Sequence, residues 1–116
     1  MIILGIDPGL QVCGYACVET SIEGEKLLEA GFIRTPADLP LAERLNRIAY
    51  DISEILENFK PDIVAVEELY SHYAHPKTAI LMGHARGVIL QKCAQSLIEV
   101  KSFSATRIKK SITGTG

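Results

Sequence analysis

The feature that most constrains the fold is a long amphipathic pattern that lies between two apolar strand patterns. From 41 to 59, apolar residues recur at helical spacing and charged residues lie off that stripe, which predicts a helix. The flanking patterns, IILGID at 2–7 and DIVAVE at 62–67, predict short buried strands. Because a long helix between strands requires a crossover, the 62–67 strand is expected to lie parallel to its neighbour in the sheet.

The remaining patterns complete a single α/β domain. Residues 12–20 and 26–33 are rich in strand-forming residues and joined by a turn, so with 2–7 they predict an antiparallel three-strand meander. A second helix is expected at about 76–96, a last strand at 96–100 and a short basic helix at 103–111. The predicted architecture is a mixed sheet, with the meander and the parallel strands flanked by helices.

Two of the predicted strands end on a carboxylate, Asp7 and Glu67. If these strands are parallel neighbours, their carboxyl ends meet where open α/β sheets bind ligands. Glu68 competes with Glu67, but alternation along a strand places only one of them inward, and Glu67 directly follows the apolar run. Carboxylates with no accompanying His/Cys cluster suit Mg²⁺ or Mn²⁺, and two such ions can hydrolyse a phosphodiester. Gly9, which has no Cβ, would let a phosphate backbone approach closely.

Charge is divided unequally along the chain. Residues 1–69 hold five basic and 13 acidic residues, a net charge of −8, whereas residues 70–116 hold seven basic and one acidic residue, a net charge of +6. A basic half in a small domain indicates a surface for an anionic partner such as DNA. An aromatic residue just beyond a metal site can stack on an unpaired base. The candidate DNA contacts are therefore Gly9, Tyr70, Arg86, Arg107, Lys109 and Lys110.

The sequence also suggests a compartment. No apolar run approaches the length of a membrane span, and the chain begins with a strand pattern rather than a secretory signal. The three cysteines lack zinc-site spacing and are expected to be buried thiols. A cytoplasmic protein with no membrane contact is expected.

Four motifs stand out along the chain: LGIDPGL with GYA close behind, AVEELY, GHARGVIL and IKKSITGTG. Together they resemble the RuvC family of Holliday junction resolvases. The resemblance implies a ribonuclease H-like fold, a homodimer and Mg²⁺-dependent symmetric cleavage of four-way DNA junctions in recombination and repair, together with the RuvA and RuvB branch-migration proteins. It also implies that Asp7 and Glu67 are the first two members of the catalytic, metal-binding carboxylate set. Tyr70 stands where the family has a base-stacking aromatic residue, and Lys109 matches a basic residue near the active site. The GHARG helix is implied to lie near the dimer interface.

The chain departs from the family pattern in two places. The loop SHYAHPKTA differs from the shorter, Asn-containing stretch that is usual in the family. The family also continues past GTG into a final helix that carries further metal-site residues. Residues 1–116 are therefore expected to form one nuclease domain without its usual C-terminal part, with little or no activity by themselves.

Three other interpretations stay open at the level of sequence. One is a ribonuclease H-like nuclease of YqgF type acting on RNA, although AVEELY and ARGVIL fit it poorly. Another is a non-catalytic module that binds junction DNA, which a cleavage assay beside a binding assay would distinguish. The third is a half-domain of an actin-like phosphotransfer fold. This interpretation would need a second such domain, for which 116 residues leave no room.

Overall fold

The computed structural model describes residues 1–68 and 76–103. In these two ranges the elements follow one another as three strands, a helix, a strand, a helix and a strand. They are β1 (Ile2–Asp7), β2 (Val12–Ser21), β3 (Gly24–Arg34), α1 (Leu41–Phe59), β4 (Ile63–Glu67), α2 (Pro76–Gln95) and β5 (Glu99–Phe103).

The strands form one mixed sheet in the order β3-β2-β1-β4-β5. β1, β2 and β3 pair antiparallel, which confirms the predicted meander. β4 is parallel to β1, with Ile6 opposite Val66, and β5 is parallel to β4. The long helix between β3 and β4 therefore makes the crossover that the sequence predicts, and it places β4 directly beside β1.

Helix α1 forms because its apolar stripe faces the core. Ile48, Ile52, Ile55 and Leu56 are its buried residues. The helix ends at Lys60, which adopts a left-handed backbone conformation with φ of 46° and donates its N–H to the Leu56 carbonyl at 2.9 Å. The chain then turns immediately into β4.

The two faces of the sheet differ. Leu4, Ile6, Val64 and Val66 join the buried residues of α1 and α2 in one hydrophobic core, and toward the carboxyl ends of β1 and β4 they alternate with small or acidic residues. Their neighbours in β1 and β4 therefore point to the opposite face, on which neither α1 nor α2 packs. We call this second face the open face; it carries Gly5, Asp7, Ala65 and Glu67.

The last strand begins later than the sequence pattern indicates. Strand β5 starts at Glu99, because residues 96–98 close the end of α2. Leu97 has a φ of 59° and is 93% exposed, and the Ile98 N–H donates to the Cys93 carbonyl at 3.0 Å. Because Leu97 is apolar, it fits a strand pattern in the sequence. Its left-handed backbone conformation instead ends the helix at this position. The basic helix expected at 103–111 lies outside the described residues except for Phe103, which belongs to β5.

The cysteines behave as expected for buried thiols. Cys13, Cys17 and Cys93 are free and buried. Burial raises the pKa of Cys13 and of Cys93 to about 11, so both are protonated at neutral pH. Neither described helix has the length and apolar character needed to cross a membrane.

Candidate active site

Asp7 and Glu67 meet at one edge of the sheet. They follow Ile6 and Val66, which lie opposite each other in the parallel β1–β4 pair. The two carboxyl groups lie close enough for Asp7 to raise the pKa of Glu67. The contact forms because each carboxylate is the last residue of its strand and the two strands end at the same level.

The electrostatics of this pair favour the binding of either one proton or a metal cation. Burial, followed by the hydrogen bond and the negative charge of Asp7, raises the pKa of Glu67 to about 7. Two carboxylates this close cannot both ionise freely, so the metal-free pair holds one proton below about pH 7 and loses it above that pH. Glu68, by contrast, is exposed beyond the end of β4.

The same carboxylate pair suits a hard divalent cation. Carboxylate oxygens are the ligands that Mg²⁺ and Mn²⁺ prefer, and Mg²⁺ commonly binds one or two carboxylates while keeping several waters. Residues 1–68 and 76–103 contain no group of three or more His, Cys, Asp or Glu side chains placed to hold a metal ion. The candidate metal ligands among the described residues are therefore the two carboxylates of Asp7 and Glu67.

Two cavities meet at Asp7. The first, of about 400 Å³, lies on the open face and also contacts Glu67, and the second, of about 450 Å³, lies beside the turn that follows β1. Several small side chains line the first cavity, whereas Arg44 contributes a positive charge to the second. Residues of the first cavity include Gly5, Asp7, Gly14, Ala16, Ala65, Glu67 and Phe103; those of the second include Asp7, Pro8, Gly9, Gln11, Arg44, Thr78 and Met82.

The turn after Asp7 is held tightly. At Gly9, a Cβ atom would lie 2.2 Å from the Val12 carbonyl oxygen, so a side chain does not fit there without a backbone shift. Thr35, which is 3% exposed, donates its hydroxyl to the Leu10 carbonyl at 2.5 Å. The Thr35 hydroxyl in turn accepts a hydrogen bond from Nε of Arg44 at 3.1 Å. Helix α1 and the segment after β3 therefore fix the turn beside the candidate metal ligand.

The structure brings some of the predicted site residues together. Asp7, Gly9 and Glu67 line the two cavities, whereas Arg86 of α2 donates hydrogen bonds to the Glu67 main-chain carbonyl and to the Ser102 hydroxyl. The predicted DNA contact of Arg86 stays a prediction. The guanidinium of Arg86 also has these two intramolecular hydrogen-bond partners. Tyr70, Arg107, Lys109 and Lys110 lie outside the described residues.

Sequence reasoning missed three residues that support the site: Thr35, Arg44 and Ser102. Thr35 precedes a proline in a loop-like stretch, and Arg44 lies on the polar side of an amphipathic helix, so neither differs from an ordinary surface residue in sequence. Ser102 falls beyond the predicted end of the last strand. Their hydrogen-bond partners are distant along the chain, and only tertiary contacts reveal them.

Comparison with known proteins identifies the family. The family model described as crossover junction endodeoxyribonuclease RuvC matches residues 3–116. The RuvC protein of Rhodopirellula baltica is 47% identical over 98% of this chain and 64% of its own length. The RuvC protein of Alkaliphilus oremlandii is 39% identical over the whole chain and 70% of its own length. The chain thus spans about two thirds of the length of these relatives.

Solved structures agree with this assignment. Thermus thermophilus RuvC in complex with a Holliday junction substrate is similar with a TM-score of 0.88 and 28% identity, over 97% of this chain and 70% of that one. The yeast mitochondrial Holliday junction resolvase Ydc2 shares the fold, with a TM-score of 0.67 and 12% identity, over 97% of this chain and 57% of that one. The expected ribonuclease H-like fold is confirmed by these neighbours. Since the family model covers nearly all of the chain, this protein belongs to the RuvC family of crossover junction endodeoxyribonucleases.

Proposed function

We propose that this chain is a structure-selective endonuclease that resolves four-way DNA junctions by divalent-metal-dependent hydrolysis of phosphodiester bonds. The observation that carries the proposal is the Asp7–Glu67 carboxylate pair at adjacent parallel strand ends, beside two open cavities. Family membership supports the choice of substrate, because a similar RuvC protein has been solved with a Holliday junction. No observation on the described residues favours a non-catalytic binding module.

In this proposal Asp7 and Glu67 hold Mg²⁺ or Mn²⁺, and the complete domain holds two ions. A bound divalent ion would supply Lewis-acid stabilisation of the developing negative charge and lower the pKa of a bound water. The protein's own contribution is to place two carboxylate oxygens together. Because the metal-free pair keeps a proton up to about pH 7, metal binding is expected to release a proton.

The cavities beside the pair provide room for a DNA strand. Gly5 and Ala65 present little side-chain bulk on the open face, so a phosphate can approach Asp7 and Glu67 from this side. We propose that Gly9 and Arg86, together with Tyr70, Arg107, Lys109 and Lys110 outside the described ranges, contact the DNA. In this arrangement the basic residues bind phosphates and Tyr70 stacks on an unpaired base at the crossover.

The partners are proposals of the same kind. We propose a cytoplasmic homodimer that works with RuvA and RuvB, because two symmetric cuts in a four-way junction require two active sites. The family assignment supports these partners. Sedimentation of the chain with and without junction DNA measures the dimer directly.

The proposed activity is tested with a synthetic four-way junction and a linear duplex of the same sequence. In Mg²⁺, a family-length protein that contains residues 1–116 is expected to cut the junction in preference to the duplex, whereas residues 1–116 by themselves are expected to show little or no cleavage. Asp7→Asn and Glu67→Gln are each expected to lower the rate by about a thousandfold or more, as expected when several kcal/mol of transition-state stabilisation is lost.

Glu68→Gln is the matched control, because it removes the neighbouring exposed carboxylate and is expected to keep the wild-type rate. Junction binding is measured beside cleavage in a gel-shift assay. Selective binding with no cleavage in Mg²⁺ or Mn²⁺ would favour a binding module instead. Equal cleavage by wild type and Asp7→Asn would exclude this pair from the chemistry.

A further inference from the structure

Arg86 connects helix α2 to the ends of two strands. Its Nε donates to the main-chain carbonyl of Glu67 at 3.3 Å, and its Nη2 donates to the Ser102 hydroxyl at 2.8 Å. Glu67 ends β4, whereas Ser102 lies in the adjacent β5. A planar guanidinium is suited to two such bonds at once, whereas a lysine ammonium has neither the reach nor the fixed geometry to replace both.

These two hydrogen bonds differ from a salt bridge with the carboxylate pair, because they go to a main-chain carbonyl and to a hydroxyl. Ser102 pairs with Val66, which is fully buried on the side of the helices. The Glu67 side chain lies on the open face and meets Asp7. Since Ser102 and Val66 share one side of the sheet, Arg86 contacts Ser102 on the helix side. Its contact with Glu67 is to the main chain.

The end of β4 needs support of this kind. Strand β4 ends at Glu67, and just beyond it the Glu68 N–H donates to the Phe103 carbonyl at 2.7 Å. A residue at a strand end has fewer ladder hydrogen bonds around it than one inside the strand, and strand ends fray more readily. The Arg86 contacts add two bonds at the level where the carboxylate must be held.

We infer that Arg86 and Ser102 are positioning residues that fix the end of β4 and thereby orient the Glu67 carboxylate toward Asp7. This inference rests on the proposed function, because it assigns Glu67 a role in metal binding. It differs from the proposed DNA contact of Arg86, since it requires Ser102, a neutral side chain that offers no charge to a phosphate.

The test compares Ser102→Ala and Arg86→Lys with wild type. Two quantities are measured: the Mn²⁺ affinity by calorimetry, and the hydrogen-exchange rate of the Glu68 amide by NMR. Both variants are expected to weaken Mn²⁺ binding by about tenfold, the effect typical of residues that orient a metal ligand. Both are also expected to speed exchange of the Glu68 amide. The double variant is expected to bind Mn²⁺ no more weakly than the more impaired single variant, because the two residues act through one contact.

Ser96→Ala and Arg47→Lys are matched controls, since they make the same changes at exposed positions and are expected to leave both quantities unchanged. Junction affinity is expected to be unchanged in Ser102→Ala. The inference is overturned if Ser102→Ala matches wild type in both quantities, or if Arg86→Lys weakens only junction binding. If wild type binds no Mn²⁺, the proposed metal site fails, and the Glu68 exchange rate alone decides the positioning role.

Discussion

Replacing Asp7 with Asn is expected to stabilise the metal-free protein at alkaline pH while removing its metal binding. The folded-state pKa of Glu67, about 7, lies above its ordinary value of 4.5. A carboxyl group with a raised folded pKa stabilises the fold fully below the unfolded pKa, and that stabilisation is lost as pH rises through the folded pKa. Wild type should therefore lose stability between about pH 5 and pH 8 in the absence of metal. Asp7→Asn removes the repulsion that causes part of this loss.

The size of the effect follows from the causes of the shift. The difference between about 7 and 4.5 gives an upper limit of about 3 kcal/mol, at about 1.4 kcal/mol for each pKa unit. Burial is the largest cause and persists in the variant, and solvent screens a partly exposed pair. We therefore assign about 1 kcal/mol to Asp7, which corresponds to about 4 °C in Tm for a domain of this size.

Thermal unfolding followed by circular dichroism measures this prediction at about pH 5 and about pH 8, with a chelator or with Mg²⁺. With the chelator, Asp7→Asn should have a higher Tm than wild type at the higher pH and a similar Tm at the lower pH. Mg²⁺ should raise the Tm of wild type but not of the variant. Asp38→Asn, in an exposed loop, is the control and should behave as wild type. A lower Tm for Asp7→Asn at both pH values would refute the electrostatic reasoning.

Three further predictions concern the surroundings of the pair. Thr35→Val should lower the free energy of unfolding by about 2 kcal/mol in urea titration, because one buried and one partly buried hydrogen bond are lost, and Thr35→Ser should restore most of it. Gly9→Ala should lower Mn²⁺ affinity measured by calorimetry, because its Cβ would overlap the Val12 carbonyl and displace the turn; unchanged affinity would show that the turn adapts. Tyr70→Ala should reduce the preference for junction over duplex DNA in gel-shift assays by about 1–3 kcal/mol, and unchanged preference would contradict the stacking role.

Local sequence patterns were sufficient to predict most of the sheet. Strand β1, helix α1 and strand β4 have strong and regular periodicity, and their observed bounds agree with the patterns to within a residue. The crossover rule then placed β4 parallel to a meander strand. The last strand was displaced by three residues because Leu97 is apolar but exposed, and hydropathy does not distinguish a helix-ending residue from a strand residue.

The sequence by itself also predicted which carboxylates would meet at the sheet edge, since each directly follows an apolar strand pattern. Only the tertiary structure decided that Asp7 and Glu67 lie close enough to interact, because this depends on which strands are neighbours and where they end. It alone revealed the support from Thr35 and Ser102, whose partners lie 25 and 16 residues away in the chain. The physical reason is that strand and helix periodicity arises from local backbone geometry, whereas a hydrogen bond between distant polar side chains leaves no periodic signal in the sequence.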